Sequence, residues 1–322
     1  MSDKLEFLKV FPILAEEFLD IAREYKFPAA SVEWIKKNIY HNVPGGKLNR
    51  GLSVVDTLKI IKNNQVSDEE LFKAQVLGWC VEWLQAFFLV ADDIMDQSIT
   101  RRDNPCWYRM DGVGNIAIND SFILESAIYF FLKKHFRDEP YYINLIELFH
   151  EVTLQTEFGQ LQDLLTAPED HVDLNNFMAL AMRMAGIEEE LAYKHAKDIL
   201  IVLGEYFQVQ DDYLDCYGDP SFIGKIGTDI EDNKCSWLIN QALDRASSEQ
   251  RKLLDENYGK KNPESVAIVK KIYRDLELEA LFKKYEQDSY SRINDLISQL
   301  DESLINREIF TTFMGKIYKR TK

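Results

Sequence analysis

Turn-forming residues are scarce in this chain. Its 14 glycines and 8 prolines among 322 residues fall well below the roughly 12% that the two types make up in an average protein. Few positions are set aside for turns and bulges, so long helices are favoured over a many-stranded sheet. Cysteine is scarce too. Cys80, Cys106, Cys216 and Cys235 stand far apart with no CxxC pair, which suits neither a zinc site nor a small disulfide framework. They read as reduced thiols in a cytoplasmic protein. No run of about 18 apolar residues occurs, so no membrane span is expected. The N-terminus carries charges where a signal peptide needs its apolar region. Positive charge is also short, at 38 Lys+Arg against 54 Asp+Glu for a formal charge of −16. That balance excludes a simple electrostatic grip on nucleic acid or anionic lipid. It does not exclude an anionic substrate, because grouped carboxylates can hold divalent cations that carry one in.

What is present is helical periodicity. From Phe7 to Tyr25 the apolar residues Phe7, Val10, Phe11, Leu14, Phe18 and Ile21 recur at three and four positions, the spacing of a helix with one buried face. Similar patterns predict helices over 31–40, 53–63, 68–96, 119–135, 141–165, 188–214, 234–243, 248–258 and 263–300. Ser67-Asp68-Glu69-Glu70 is a capping box at the start of one of them. The separators, such as Pro44-Gly45-Gly46 and Tyr217-Gly218-Asp219-Pro220, are short. No linker long enough to mark a boundary appears, and residues 1–322 read as one all-α domain, a helical bundle.

Two segments repeat one motif. Phe88-Leu-Val-Ala-Asp92-Asp93-Ile-Met-Asp96 and Phe207-Gln-Val-Gln-Asp211-Asp212-Tyr-Leu-Asp215 both follow the pattern F-x-V-x-D-D-x-x-D. On a helix, positions i and i+4 share a face, so Asp92 pairs with Asp96 and Asp211 with Asp215. Like charges so spaced destabilise an isolated helix by a few tenths of a kcal/mol, a penalty that a shared cation removes. Hard oxygen ligands suit Mg²⁺, which takes one or two carboxylates plus substrate phosphate oxygens. A solvated acidic face would explain one such pair. The repeat, with strongly apolar residues before each copy, favours a metal site.

Basic residues lie near the motifs. Arg101-Arg102 follows Asp96 by about one helical turn, placing two guanidinium groups where phosphate oxygens would sit. Gly45-Gly46-Lys47-Leu48-Asn49-Arg50 is a glycine-led basic loop without the frame of a P-loop. Lys225 to Asp229 and Asp232-Asn233-Lys234 form a third set. Each alone could be surface charge. Together with two aspartate clusters they describe a diphosphate site held through Mg²⁺.

At these residues the chain resembles the short-chain trans-prenyltransferases, and within them the farnesyl diphosphate synthases of eukaryotes, fungal ones included. The matching motifs are GGKLNRG at 45–51, FFLVADDIMDQSITRR at 87–102, GQLQDLL at 159–165, FQVQDDYLD at 207–215, GKIGTDIEDNKCSWL at 224–238 and YKR at 318–320. The resemblance implies an all-α isoprenoid-synthase bundle around a central cavity and a homodimer. It also implies a head-to-tail condensation of isopentenyl diphosphate with dimethylallyl and geranyl diphosphates for sterol and isoprenoid synthesis. Several Mg²⁺ ions, or Mn²⁺ in their place, would be held by Asp92, Asp96 and Asp211 with Asp93 and Asp215 in support. Arg101, Lys225 and Lys234 match the family's allylic diphosphate contacts, and Gln208 lies one turn before Asp211. Lys47, Arg50, Gln85 and Arg102 match the isopentenyl diphosphate contacts, and Arg320 would close over that second diphosphate. Phe87 and Phe88 match the bulky floor that stops the product at fifteen carbons.

The chain also departs from that pattern. After Asp173-Leu-Asn-Asn-Phe177 it runs directly into Met178, where the family carries about twenty more residues, some 30 Å of helix at 1.5 Å per residue. Those residues include a Lys-Thr pair whose lysine touches the allylic diphosphate. Asp103 stands where a glycine usually follows the paired arginines. The missing segment leaves a second reading, a weak or inactive homologue acting in binding or dimerisation; a synthase with a geranyl or longer product is the enzymatic alternative.

Overall fold

The structure is a computed structural model that describes residues 3–102, 104–165, 182, 189–219 and 227–318. Helices dominate it. In the first part of the chain they are α1 (Asp3–Glu24), α2 (Ala29–Asn42), α3 (Asn49–Ile61), α4 (Asp68–Met95), α5 (Ile116–Phe136) and α6 (Tyr142–Leu165). They are followed by α7 (Glu190–Tyr217), α8 (Trp237–Arg245), α9 (Ser248–Asn257), α10 (Pro263–Asp275), α11 (Leu278–Ser298) and α12 (Glu308–Ile317). Between α4 and α5 a two-residue antiparallel hairpin pairs β1 (Thr100–Arg101) with β2 (Asn104–Pro105). The expected all-α architecture is the one observed.

The chain divides into two compact units. One contains Met1–Thr153, Asn176–Tyr193 and Ser303–Ile309; the other contains Leu154–Asn175, Lys194–Glu302 and Phe310–Lys322. In the first, α4 is the central helix. Its residues from Ala74 to Leu84 are all buried, which is how a helix apolar on every side must be placed. Among the described residues it is the one helix long and apolar enough to cross a membrane, yet it lies mostly buried inside the protein. The Phe7 ring stacks on Trp79 with centroids 4.6 Å apart, and the Trp79 Nε1–H donates to the Phe7 carbonyl at 2.9 Å. Trp83 meets the edge of Phe131 from α5. Each such side chain contributes about 1.5–3 kcal/mol on burial.

The α4 start bears out the capping box. The Glu70 N–H donates to Ser67 Oγ at 3.2 Å and the Ser67 N–H to the Glu70 carboxylate at 2.9 Å. The Lys62 ammonium, the Ser67 N–H and the Ser67 hydroxyl all donate to the Glu70 carboxylate and hold its pKa down at about 2.

The second unit has its own core of Leu238, Ile239, Ala242, Leu254, Val269, Ile272, Tyr273 and Leu278. Tyr213 of α7 stacks on Phe282 of α11 at 3.9 Å. The helix predicted over 263–300 is two helices. The chain breaks at Leu276 and Glu277, the latter with φ of 55°, a left-handed turn that no glycine or proline announces. Helix α12 has no counterpart among the helices expected from periodicity.

Candidate active site

The first aspartate motif closes α4. The Asp96 N–H still donates to the Asp92 carbonyl at 2.8 Å, so the helical register persists and the two carboxylates share a face, as their spacing requires. The chain then turns sharply, with Gln97 at φ 55° and the Ser98 N–H on the Asp93 carbonyl at 3.0 Å. Arg101 and Arg102 are therefore not a helical turn beyond Asp96; they sit on the hairpin that doubles back.

This reversal brings Arg101 onto the motif. Its Nε and Nη2 donate to Asp93 Oδ1 at 2.9 and 2.6 Å, and Nη2 also donates to Asp92 Oδ2 at 2.9 Å. Burial disfavours the guanidinium charge, but Asp93 and then Asp92 outweigh it and raise the Arg101 pKa. Asp93 is 3% exposed, so its carboxylate points inward and holds the arginine. Cys106 is buried beside the same carboxylate, and burial with Asp93 pushes its thiol up to about 12.

Arg102 takes a different direction. At φ 54° it sends Nη1 to the carbonyls of Asn42 and Val43, at 2.9 and 3.3 Å, closing the C-terminal end of α2. Its side chain lies against Gly45 and Gly46, where an added Cβ would come 3.3 and 3.4 Å from it. Gly45 and Gly46 have φ of 142° and 68°, conformations that only glycine adopts at no cost. Burial lowers the Arg102 pKa, while Glu82 acts against that. Lys47 is exposed and Arg50 half-buried, one on each side of Leu48 at the head of α3; Gln85 on α4 is half-buried. Phe87 is buried and Phe88 partly so, their rings 4.7 Å apart, both packed with the core as well as lying one turn before Asp92.

The second motif lies on α7. Gln208 Nε2 donates to Asp212 Oδ1 at 3.0 Å, and Asp212 Oδ2 accepts the Trp237 N–H at 2.6 Å, at the first turn of α8 just past Lys234. Asp215, 9% exposed, accepts the Asp229 N–H at 3.1 Å. Gly227 passes so close that a Cβ there would come 1.9 Å from the Asp215 carbonyl oxygen. Thus Asp212 and Asp215 fix the two ends of the segment that carries Lys234, which is itself half-buried. Asp211 is half-buried on the same helix.

Lys225, Arg320, Asp103 and the Phe177–Met178 junction lie outside the described residues. Among the described residues, no three metal-capable side chains gather in one place; Arg101 holds Asp93, and backbone amides meet Asp212 and Asp215.

Two supports were not anticipated. Glu82, in the middle of α4, is 3% exposed and accepts the Gly51 N–H at 2.7 Å. Asp120, 1% exposed, accepts from the indole N–H groups of Trp34 and Trp107, at 3.0 and 2.9 Å. The signal for both is an acid inside an otherwise apolar helical stretch, which has to be paired once buried.

Known proteins share this pattern. The family model described as polyprenyl synthetase matches residues 32–276. The farnesyl pyrophosphate synthase of Saccharomyces cerevisiae is 54% identical, with 98% of this chain and 97% of that protein aligned. The Candida albicans enzyme of the same name is 53% identical with both chains aligned in full. Among solved structures, the Trypanosoma brucei farnesyl diphosphate synthase complexed with minodronate superposes with a TM-score of 0.90 at 30% identity over 100% of each chain. Motifs, fold and relatives agree, and the chain belongs to the polyprenyl synthetase family.

Proposed function

We propose that this chain is a prenyltransferase that condenses isopentenyl diphosphate with dimethylallyl and then geranyl diphosphate, head to tail, to give farnesyl diphosphate for sterol and isoprenoid synthesis. The observation that carries this reading is the end of α4. There Asp92 and Asp96 stack one turn apart while Arg101 folds back onto Asp92 and Asp93, joining carboxylates that suit a divalent cation to a guanidinium that suits a diphosphate. Fungal relatives named farnesyl pyrophosphate synthase, at 52–54% identity over nearly the whole chain, support the product and favour neither an inactive homologue nor another chain length.

The donor chemistry fits Mg²⁺, with Mn²⁺ as a substitute. Mg²⁺ commonly takes one or two carboxylates and completes its shell with water and substrate phosphate oxygens, so pairs such as Asp92 with Asp96, and Asp211 with its neighbours, suffice. When bound, the ion supplies positive charge to the departing diphosphate, and such charge stabilisation usually dominates the rate gain in an ionisation of this kind. The protein's own groups do the rest. Arg101, pinned by Asp93, offers fixed donors to the allylic diphosphate, in company with Lys234, Lys225 and Gln208. Lys47, Arg50, Arg102 and Gln85 hold isopentenyl diphosphate so that its double bond meets the allylic carbon, and Arg320 joins them. Phe87 and Phe88 limit growth of the chain.

Residues 1–322 act as one prenyltransferase domain, in keeping with a family match that runs from 32 to 276. The protein acts in the cytoplasm as a homodimer. Exposed apolar residues at helical spacing, Ile118 and Phe122 on α5 and Leu154, Phe158 and Leu161 on α6, support such pairing, which sedimentation would test.

Incubation with geranyl and isopentenyl diphosphates and Mg²⁺ should yield farnesyl diphosphate. A chelator should abolish the reaction and added Mg²⁺ restore it. Absence of product above an Asp92→Ala control would refute the reading.

A further inference from the structure

We infer that Glu82 is the positioning residue for the isopentenyl diphosphate side of the site, acting through the backbone of α3; this rests on the function proposed above. Helix α3 begins without a cap of its own. Its N-cap residue is Leu48, at φ 57°, and makes no side-chain capping bond, since leucine has no acceptor to offer the amides of the first turn. Lys47 and Arg50 on either side of it are basic residues assigned to the ligand and offer no acceptor either. The acceptor comes instead from another helix. Glu82 Oε1 reaches across from α4 to the N–H of Gly51, the third residue of α3, at 2.7 Å.

The reach depends on how closely the two helices approach. A Cβ on Gly51 would lie 2.7 Å from the Gly78 carbonyl and 2.9 Å from Glu82 Cγ, and one on Gly78 would lie 2.4 Å from the Gly51 carbonyl. With both positions glycine, the α3 backbone rests directly on α4, and its first turn is fixed in height and rotation. Arg50 precedes the bonded amide by one residue. On α4, Gln85 follows Glu82 by three positions and shares its face. Burial raises the Glu82 pKa, while the Gly51 N–H and the nearby charges of Arg50 and Arg102, two of the basic groups assigned to isopentenyl diphosphate, act against that. An acceptor buried this deeply is locked in place by its packing, so its reach to the amide matters more than its charge.

Two conservative variants separate this role from simple charge balance. Glu82→Gln keeps an acceptor at the same reach and loses the charge. Glu82→Asp keeps the charge and falls short of Gly51 by one methylene. With positioning through the hydrogen bond, Glu82→Asp raises the KM for isopentenyl diphosphate at least fivefold while Glu82→Gln stays within threefold of the unmutated chain. In both variants the KM for geranyl diphosphate stays within twofold, because Arg101 is held independently by Asp92 and Asp93. The reverse order of the two variants, equal effects, or a parallel rise in both KM values overturns the inference. Circular dichroism and the melting temperature are read on the same samples, and an unfolded Glu82→Asp with Glu82→Gln folded and equally impaired in both KM values also overturns it. If the unmutated chain condenses nothing, the function proposed above fails first. If it turns over normally and the variants do not separate, only the role of Glu82 fails.

Discussion

Asp93 and Asp212 occupy the same place in the two DDxxD repeats, and each fixes a neighbouring segment. Asp93 holds the Arg101 guanidinium, and Asp212 receives the first amide of α8 next to Lys234. The acidic motif thus supplies both the face proposed for a cation, Asp92 with Asp96, and anchors for nearby basic residues. Asp120 shows the same economy away from the site. Two indole donors meet its buried carboxylate, and burial raises its pKa in spite of them. Trp107→Phe removes one donor from that carboxylate, at a cost of about 1–3 kcal/mol, which should lower the melting temperature by about 2–8 °C. The sign with pH follows from the raised pKa. Protonated Asp120 needs the donor less, so the deficit should be small in acid, where both folded proteins carry the proton, and grow as pH rises through the raised folded-state value. Melting curves from pH 3 to pH 7 check this; a deficit that shrinks with rising pH contradicts it.

At the scale of elements, the α3–α4 contact is a close backbone approach at Gly51 and Gly78. Gly78→Ala would put a Cβ 2.4 Å from the Gly51 backbone carbonyl. Backbone cannot give way as a flexible side chain can, so α3 must shift, and overpacking of this kind costs about 1–3 kcal/mol. Chemical denaturation should show that loss without a change in helical content, and an unchanged midpoint would mean that the two helices slide freely. Most helices were legible because a one-sided or continuous apolar pattern is a local property, and Ser67 with Glu70 marked the α4 start for the same reason. The aspartate pairs and most of the basic residues were legible as motifs. What the pattern did not reveal depends on distant contacts. The hairpin that returns Arg101 to Asp93 rests on left-handed Gln97 and Arg102, neither of them a residue that signals a turn. The break at Glu277 is equally silent. Glu82 carries no local signal of its role, because its partner, Gly51, is 31 residues away.

Across the whole molecule, the −16 charge leaves the basic groups few, so each one lost near the diphosphates should be felt. The Kluyveromyces lactis and Schizosaccharomyces pombe enzymes align with all of this chain over 349 and 344 positions. Against 322 residues, at least 27 and 22 of those positions have no residue here. A shortfall of this size agrees with the twenty or so residues that the family resemblance places after Phe177, among them a lysine that touches the allylic diphosphate. A hydrogen bond to a charged group contributes about 1.5–3 kcal/mol, equivalent to roughly 10- to 150-fold in affinity. Inserting the corresponding segment of the Kluyveromyces lactis enzyme between Phe177 and Met178 should therefore lower the KM for geranyl diphosphate at least tenfold. The KM for isopentenyl diphosphate should change by less than threefold, since Lys47, Arg50 and Arg102 are untouched by the insertion. Steady-state kinetics on the two proteins, varying one substrate at a time, measures both. Equal KM values for geranyl diphosphate would mean that Arg101 and its neighbours already supply the whole of the allylic grip, and that the shorter chain has lost none of it.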